Sequence, residues 1–338
     1  MSKAKVSASD MRPRPKADEW KKKPVEELSL PQRVIISRNV LIPNEEEFEY
    51  PKSKGMVPVY SLFSQHMYLL PRAMLPIVAR WAYMTATGYT IHPVAMYFLT
   101  LAYNAHVVKS FFQHLTTLVK RHGFLDADIP RDSIPETMAG KLFTEFLTGI
   151  FVRPLLVILL SYDRYKMPSL SLWLPLQVAI FTLFADFVYY WVHRATHEVS
   201  FLWHFHQRHH TTKHPVAYLL GFADEPQEVF DAIGSPILAY LMYPIGYDAM
   251  YIWSVYFIAT EILGHSGMRA YYPGPLTSTI LRPIDCEIAV EDHDLHHRFG
   301  WRESYNYGKQ SRFWDAMFGT TGERVETHAG NIDYSRGV

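Results

Sequence analysis

Residues 186–210 read DFVYYWVHRATHEVSFLWHFHQRHH, an apolar run that passes into a dense set of histidines. Seven of the 17 histidines in the chain lie in this stretch or just after it. His193 and His197 are four residues apart, as are His206 and His210, and this spacing places two side chains on one face of a helix. The stretch therefore predicts a helix that presents imidazoles at its C-terminal end.

Two further histidine elements follow later in the chain. A lone His265 precedes Ser-Gly, and residues 293–297 read HDLHH, which repeats the spacing of residues 206–210. Neutral imidazole binds Fe, Zn, Cu and Ni, and a single catalytic zinc takes about three protein ligands. Two metal ions are therefore expected. The predicted ligands are His193, His197, His206, His209, His210, His265, His293, His296 and His297.

The other histidines are predicted to be surface or core residues without a metal. They are His66, His92, His106, His114, His122 and His328. His204 and His214 lie beside the motifs but outside their spacing, so their roles stay open.

Asp186 is the one ionisable residue in the apolar stretch 172–192. It precedes His193 by seven residues, close to two helical turns, so both side chains are expected on the same face. A carboxylate is costly in an apolar helix unless it is paired, and ligating histidines commonly donate their second ring N–H to a carboxylate. We therefore predict that Asp186 belongs to the catalytic site and hydrogen-bonds to a ligating imidazole, with helix packing as the alternative.

The apolar stretches predict an all-α integral membrane protein. They cover residues 73–87, 90–105, 146–162, 172–192, 230–243 and 249–264. Residues 172–192 are long enough to cross a bilayer, at roughly 31 Å. Several other stretches are shorter, so the pairs 73–87 with 90–105 and 230–243 with 249–264 are each interpreted as a helical hairpin that enters the membrane and returns, fully or partway. The predicted fold has about four to six membrane helices and a cytosolic helical cap that carries the metal site.

The distribution of Lys and Arg predicts the orientation. The connection 106–146 is rich in both, which places it, both termini and the region after 265 in the cytosol. Arg164 and Lys166 in a turn at the opposite end are a mild conflict. The expected divisions are a polar N-terminal tail (1–60), an N-terminal membrane hairpin with its cytosolic connection (61–146), a catalytic domain (147–320) and a C-terminal tail (321–338).

Composition and missing motifs exclude several classes of protein. Lys and Arg number 33 and Asp and Glu number 33, so the basic excess of a nucleic-acid binder is missing. The single cysteine, Cys286, rules out an internal disulfide and a cysteine-based metal cluster. The sequence also contains none of the zinc-protease, serine-hydrolase, Walker A or dinucleotide-binding patterns.

Taken together, these motifs resemble the fatty acid hydroxylase / sterol desaturase superfamily. The matching elements are Asp186…Tyr190-Trp191-Val192-His193-Arg194-x2-His197, His206-x2-His209-His210, His265-Ser266-Gly267, His293-Asp294-x-His296-His297, Asn306-Tyr307-Gly308 and Trp314-Asp315-x2-Phe318-Gly319-Thr320. The resemblance implies a non-haem centre of two Fe, O2 as oxidant and an endoplasmic reticulum membrane. It also implies electrons from NAD(P)H through cytochrome b5 and its reductase.

The element His265-Ser266-Gly267 resembles the sterol 4-methyl oxidase branch. That branch usually carries His-Pro-x-Glu after the second histidine element, whereas this chain has Glu225-Pro226-Gln227-Glu228. The expected substrate is a lipid, sterol or terpenoid, and the expected reaction is hydroxylation, with desaturation on the same ligands as the alternative. A remote alternative is a histidine-rich metal transporter or sensor, which would need a polar path through the spans.

Overall fold

The computed structural model describes residues 12–37, 50–52, 54–169 and 171–337. Helices make up most of this part of the chain. They are α1 Leu30–Ser37, α2 Leu62–Thr87, α3 Pro93–His122, α4 Ala139–Ser161, α5 Leu174–Glu198, α6 Ser200–His206, α7 Glu225–Val229, α8 Ser235–Met242, α9 Tyr247–Gly264, α10 Pro275–Leu281, α11 Val290–Arg298 and α12 Phe313–Phe318. The strands are β1 Val57–Val59 and β2 Ile332–Gly337.

Helices α2 and α3 form the predicted hairpin around Gly88. Gly88 ends α2 with a φ of +71°, a left-handed conformation that glycine adopts without steric cost. The ring of His92 accepts a hydrogen bond from the backbone N–H of Val94 and so caps the start of α3. Both helices extend beyond the apolar stretches that predicted them.

Helix α9 lies at the centre of the bundle. It contacts α2, α3, α4 and α5, and its side chains are buried on nearly every face. This burial fits its composition, because a helix that is apolar all round must be covered on all sides. The central helix ends directly before His265, so it delivers one predicted ligand to the end of the bundle.

Two helical segments are long and apolar enough to cross a membrane, namely Glu136–Ser161, which includes α4, and Leu174–Glu198, which is α5. Large apolar side chains are exposed on the outer faces of α2 to α5. Examples are Phe63, Met67, Leu75, Phe98, Leu99, Phe151 and Leu159.

The connection between α4 and α5 contacts α2 and the start of α9 at the end of the bundle that is remote from the histidines. Arg80 of α2 donates hydrogen bonds to the carbonyl oxygens of Asp163 and Lys166, in the connection between α4 and α5. The N–H of Ser169 in that connection donates to Asp248 at the start of α9, at 2.7 Å. The turns of the bundle are thus bound together, which leaves the opposite end for the metal site.

The expectation of an all-α chain is wrong in one respect. β1 and β2 form a two-stranded parallel sheet in which Val57 pairs with Ile332. The region predicted as a C-terminal tail is therefore packed against the body of the protein. Its pairing partner lies more than 270 residues earlier, so no local sequence pattern indicates the contact.

Part of the predicted N-terminal tail is also packed. Trp20 is buried and donates its indole N–H to the carbonyl oxygen of Ile134 at 2.9 Å. This contact differs from the solvent-exposed tail that the polar composition predicts. Residues 1–11 and 38–49 of the predicted tail lie outside the described residues.

Candidate metal centre

Four structural elements bring the nine predicted ligands together. Helix α5 supplies two histidines in its last turns, and α6 with the short turn after it supplies three. His265 follows α9, and α11 supplies the remaining three. All nine side chains are buried. Burial of so many polar rings in one place is costly unless they share a partner.

The imidazoles form two groups. The five-histidine group contains His193, His197, His206, His210 and His296, and the four-histidine group contains His209, His265, His293 and His297. Within each group, one ring nitrogen from every residue lies within 4.8 Å of those from all the others. Each group could therefore hold one metal ion, which agrees with the expectation of two.

The helical spacing explains how each motif is divided. Residues four apart share a helix face, so His206 and His210 enter the same group, as do His293 and His297. The remaining histidine of each motif, His209 or His296, enters the other group. Both His-x-x-His-His elements therefore contribute to both groups, rather than aiming at a single point.

Six of the imidazoles donate their Nδ1–H to an acceptor outside the groups. The pairs are His193 with Tyr307 O (2.8 Å), His206 with Gln227 Oε1 (2.8 Å), His209 with Phe222 O (3.3 Å), His265 with Glu261 O (2.8 Å), His296 with Tyr305 O (2.7 Å) and His297 with Thr212 O (3.0 Å). A carbonyl oxygen can only accept, so Nδ1 carries the proton and Nε2 carries a lone pair. This pattern orients a ligating histidine.

The Nε2 atoms point at one another. His193 and His206 are separated by 3.1 Å between Nε2 atoms, and His293 lies 3.0 Å from His265 by the same measure. Two facing lone pairs repel each other when no ion lies between them. Two nitrogens that bind the same metal ion, each at about 2.1 Å, come within roughly 3.0–3.4 Å of each other. In addition, the buried Nε2 of His210 has no hydrogen-bond partner among the described residues. The donor set therefore fits a cation in each group.

Burial keeps these rings neutral. It lowers the pKa of His206 to about 4 and that of His296 to about 3, and neighbouring imidazoles lower that of His296 further. Burial and neighbouring imidazoles also hold the pKa of His293 well below its ordinary value. Neutral imidazole is the form that binds metal ions.

The Asn306-Tyr307-Gly308 and Trp314-Asp315 motifs together position the hydrogen-bond acceptor of the ligand His193. The carboxylate of Asp315 accepts hydrogen bonds from the backbone N–H groups of Tyr307 and Gly308, both at 2.8 Å. A Cβ at Gly308 would lie 2.1 Å from the carbonyl oxygen of Ser311, so only glycine fits there. The carbonyl oxygen of Tyr307 is thereby held at the His193 ring.

Arg131 supports the helix that carries three ligands. Its guanidinium is buried, forms an ion pair with Asp294 of α11, and donates to the carbonyl oxygen of Gly267 at 3.2 Å. Gly267 has a φ of +58°, and a Cβ there would lie 2.5 Å from that guanidinium. Arg131 therefore ties the segment after His265 to α11, and the Ser-Gly sequence allows the close approach.

The predicted hydrogen bond between Asp186 and a ligating imidazole is wrong. The Asp186 carboxylate instead accepts from the backbone N–H groups of Lys309 (2.9 Å) and Gln310 (2.8 Å) and from the hydroxyl of Ser311 (2.5 Å). Seven residues of helix separate Asp186 from His193 by about 10 Å along the axis, beyond the reach of an aspartate side chain. Asp186 therefore anchors the loop that follows the Asn-Tyr-Gly motif.

Sequence reasoning missed several residues beside the groups. Gln227 accepts from His206, and the buried Lys309 pairs with Asp231 at 2.9 Å and with Glu261 at 3.5 Å. An isolated glutamine or lysine carries no pattern that indicates such a position. Gln227 lies in the stretch that departs from the sterol 4-methyl oxidase pattern, which was the available signal.

The histidines whose roles were open lie outside both groups. His204 is exposed, and its ring contacts Gln207, while the backbone N–H of His214 donates to Asp132. Glu225, in the stretch that departs from the sterol 4-methyl oxidase pattern and without a predicted role, is mostly exposed and pairs with Lys141.

A cavity leads from the bundle to the four-histidine group. Its walls come mainly from α3, α4 and α9, and His209 and His265 lie at one end. The side chains that line it are largely apolar, and the charged lining residues are Glu145, Arg153, Glu228, Asp231, Glu261 and Lys309. The aromatic side chains of Tyr240, Tyr243, Trp253, Tyr256 and Phe257 do not line it. Several of them pack inside the bundle instead, as Trp253 does against Phe181.

Comparison with known proteins gives a consistent result. Residues 178–320 match the Fatty acid hydroxylase family. A fatty acid hydroxylase, vlmA, of Lecanicillium sp is 35% identical over 85% of this chain and 85% of its own length. Methylsterol monooxygenase 2-2 of Arabidopsis thaliana is 25% identical over 60% of this chain and 77% of its own.

A third relative, the very-long-chain aldehyde decarbonylase GL1-8 of Oryza sativa subsp. indica, is 29% identical over 51% of this chain and 64% of its own. No solved structure matches the chain significantly. The 35% identity to the fatty acid hydroxylase over 85% of both chains, together with the family match, shows that this chain belongs to the fatty acid hydroxylase family, within the superfamily that includes the methylsterol monooxygenases, and that it is an oxidoreductase.

Proposed function

We propose that this protein is a membrane-bound, non-haem di-iron oxygenase that hydroxylates an aliphatic C–H bond of a lipid. The observation that carries the proposal is the pair of buried histidine groups whose Nε2 lone pairs face one another. Two iron ions held by these nine histidines would supply the redox chemistry that O2 activation requires. A metal transporter is disfavoured, because it would need polar groups along the spans as a path.

The residues of the chain position the ligands and shield the site. Backbone carbonyl oxygens and Gln227 orient the rings of six histidines, so that their Nε2 atoms face a common point in each group. The nine histidines are at most 6% exposed, which limits the access of bulk water to the centre. The cavity beside His209 and His265 gives an apolar chain access to the four-histidine group. These three features suit a reaction on an unactivated carbon.

The lipid that we propose as substrate is a fatty acyl compound. The relative named fatty acid hydroxylase matches this chain over 85% of its length at 35% identity, more than the methylsterol monooxygenase at 25%. A sterol or terpenoid remains the alternative substrate class, and desaturation the alternative reaction on the same ligands. Product analysis separates these alternatives.

The membrane arrangement that we propose follows from the exposed apolar faces. Four to six helices, drawn from α2 to α5 and from the region 230–264, lie in the endoplasmic reticulum membrane. The exposed apolar side chains of α2 to α5 support this arrangement. Both termini, the connection 106–146 and the histidine groups lie on the cytosolic side. Residues 147–320 form the catalytic domain, between an N-terminal hairpin region (61–146) and the C-terminal segment (321–338).

Electrons reach the centre from NAD(P)H through cytochrome b5 and its reductase, which is what membership of the superfamily implies. The test of function is reconstitution of the purified chain in lipid with these components and fatty acids under labelled O2. The expected result is about two irons per chain and a hydroxylated product that contains the labelled oxygen.

Three outcomes would count against the proposal. A product with a new double bond and no labelled oxygen identifies a desaturase. A chain that binds zinc in place of iron, or one that holds iron and forms no O2-dependent product from lipids, contradicts the assignment. A variant with His293 and His297 replaced by alanine is the inactive control.

A further inference from the structure

We propose that Arg153 binds the carboxylate of the substrate, so that the enzyme acts on free fatty acids held with their carboxyl end away from the histidines. This inference rests on the proposed function, because it concerns the same cavity. It assigns a specificity-determining role to a residue inside an apolar helix.

Arg153 lies in the middle of α4, and it is the one Asp, Glu, Lys or Arg between residues 146 and 161. An ionisable residue within such a segment is costly and usually faces a protein interior or a cavity. Its side chain lines the cavity that ends at His209 and His265. The guanidinium is therefore placed where a bound molecule can reach it.

No carboxylate of the described residues lies within 4 Å of the Arg153 guanidinium, and its one described close contact is with the ring of Phe257, whose centroid is 5.6 Å from Cζ. The carboxylate of Glu261 interacts with the Arg153 guanidinium electrostatically, but the two groups form no ion pair within 4 Å. Arg153 is partly exposed, and a charged side chain within an apolar span is costly when it has no ion-pair partner. A ligand carboxylate would supply it, in the planar two-pronged geometry that guanidinium favours.

The acidic residues of the same cavity are already neutralised. Lys309 pairs with Asp231 and Glu261, and Lys141 pairs with Glu145 at 2.5 Å. Since these acids have cations of their own, Arg153 remains open to a ligand.

Glu228 adds no negative charge to the cavity. Burial raises the pKa of Glu228 to about 9, and its hydrogen bond with Glu145 contributes to that shift. A protonated Glu228 leaves an incoming carboxylate free of repulsion from this position.

The position of Arg153 along the bundle sets the direction of the substrate. Phe257, beside the guanidinium, precedes His265 by eight residues on α9, which corresponds to about 12 Å along the helix. Apolar side chains line the cavity between these levels, including Ile150, Ile258 and Ile262. A carboxylate at Arg153 therefore leaves the hydrocarbon chain to run toward His209 and His265, and the reacting carbon lies far from the carboxyl group.

The test measures equilibrium binding of radiolabelled palmitic acid and of hexadecanol to the full-length protein in lipid nanodiscs, without O2 or reductant. The parent should bind the acid at least 10-fold more tightly than the alcohol. Arg153→Met should remove this preference by weakening acid binding, and Arg153→Lys should retain part of it. Arg72→Met is the matched control, because Arg72 lies on the apolar helix α2, stacks on Tyr68 and does not line the cavity.

Equal affinity of the parent for acid and alcohol would overturn the assignment, and this measurement needs no variant to fold. The same conclusion follows if Arg153→Met leaves acid binding unchanged, or weakens acid and alcohol equally. Binding requires no turnover, so the two proposals fail separately. If the protein binds the acid selectively but forms no O2-dependent product, the role of Arg153 stands and only the proposed oxygenase function is contradicted.

Discussion

The imidazoles of His209 and His210 belong to different histidine groups although the two residues are adjacent in the chain. Their ring centroids are 5.8 Å apart, and the ring planes are nearly perpendicular at 88°. A single dipeptide therefore forms part of the wall between the two groups. Movement of this short turn would disturb both sites together.

Replacement of these two residues is expected to have unequal effects. His209→Ala leaves three imidazoles in its group, whereas His210→Ala leaves four in the other. We expect His209→Ala to lower the iron content more than His210→Ala does, because an ion left with three imidazoles is held less tightly than one left with four. Iron per chain, measured by mass spectrometry on purified protein, checks this. His204→Ala, at an exposed neighbouring histidine, should keep both irons, and an equal loss there would refute the grouping.

Gln227 is expected to matter for metal binding although it is not a ligand. Gln227→Met removes the acceptor for the Nδ1–H of His206 and leaves a side chain of similar length. Loss of such a partner typically lowers metal affinity or activity about 10–100-fold. Titration with a chelator should show the weaker retention. Glu225→Gln, two residues away and mostly exposed, should behave as the parent, and similar chelator curves for both variants would contradict this role.

Asp186 is expected to govern stability rather than metal orientation. Asp186→Ala leaves the N–H groups of Lys309 and Gln310 buried without an acceptor, at a cost of about 1–3 kcal/mol for each group. Thermal unfolding in detergent should shift to lower temperature, while iron per folded chain stays near the parent value. Asp186→Asn, which keeps one oxygen acceptor, should shift less. If Asp186→Ala unfolds at the same temperature as the parent but holds less iron, Asp186 orients a ligand after all.

The proposed topology makes a prediction about Gly246, at the end of the bundle remote from the histidines. A glycosylation site introduced beside it should be modified, or protected within the membrane, whereas reporters at both termini should read as cytosolic. The physical reason is the contact of Ser169 with Asp248, which holds the α8–α9 turn beside the α4–α5 connection. A luminal C-terminal reporter would contradict the proposed orientation.

The sequence predicted the helices and the histidine site because both depend on local spacing. The i, i+4 pairs His193/His197 and His206/His210 indicate a shared helix face without any knowledge of the fold. The partner of Asp186 could not be found in this way, because Lys309 is 123 residues away and the contact depends on how the loop folds. The pairing of β1 with β2 was missed for the same reason.

The position of Arg153 shows the limit of composition as a guide. The sequence marks it as an unusual charge in an apolar stretch, but only the three-dimensional packing reveals that it borders the cavity of the four-histidine group. Similarly, the spacing shows which two histidines of each His-x-x-His-His element share a helix face, but which histidines of the other elements complete each group depends on the three-dimensional packing.

The C-terminal segment has a consequence for the order of events during synthesis. Glu291 of α11 accepts hydrogen bonds from the backbone N–H groups of residues 325–327, and Arg324 pairs with Asp292. The helix that bears three of the nine histidines is thus secured by residues that leave the ribosome after it. A nascent chain stalled before residue 324 should take up less iron than one stalled on a linker placed after residue 338. Equal uptake would mean that the ions are acquired before this clamp forms.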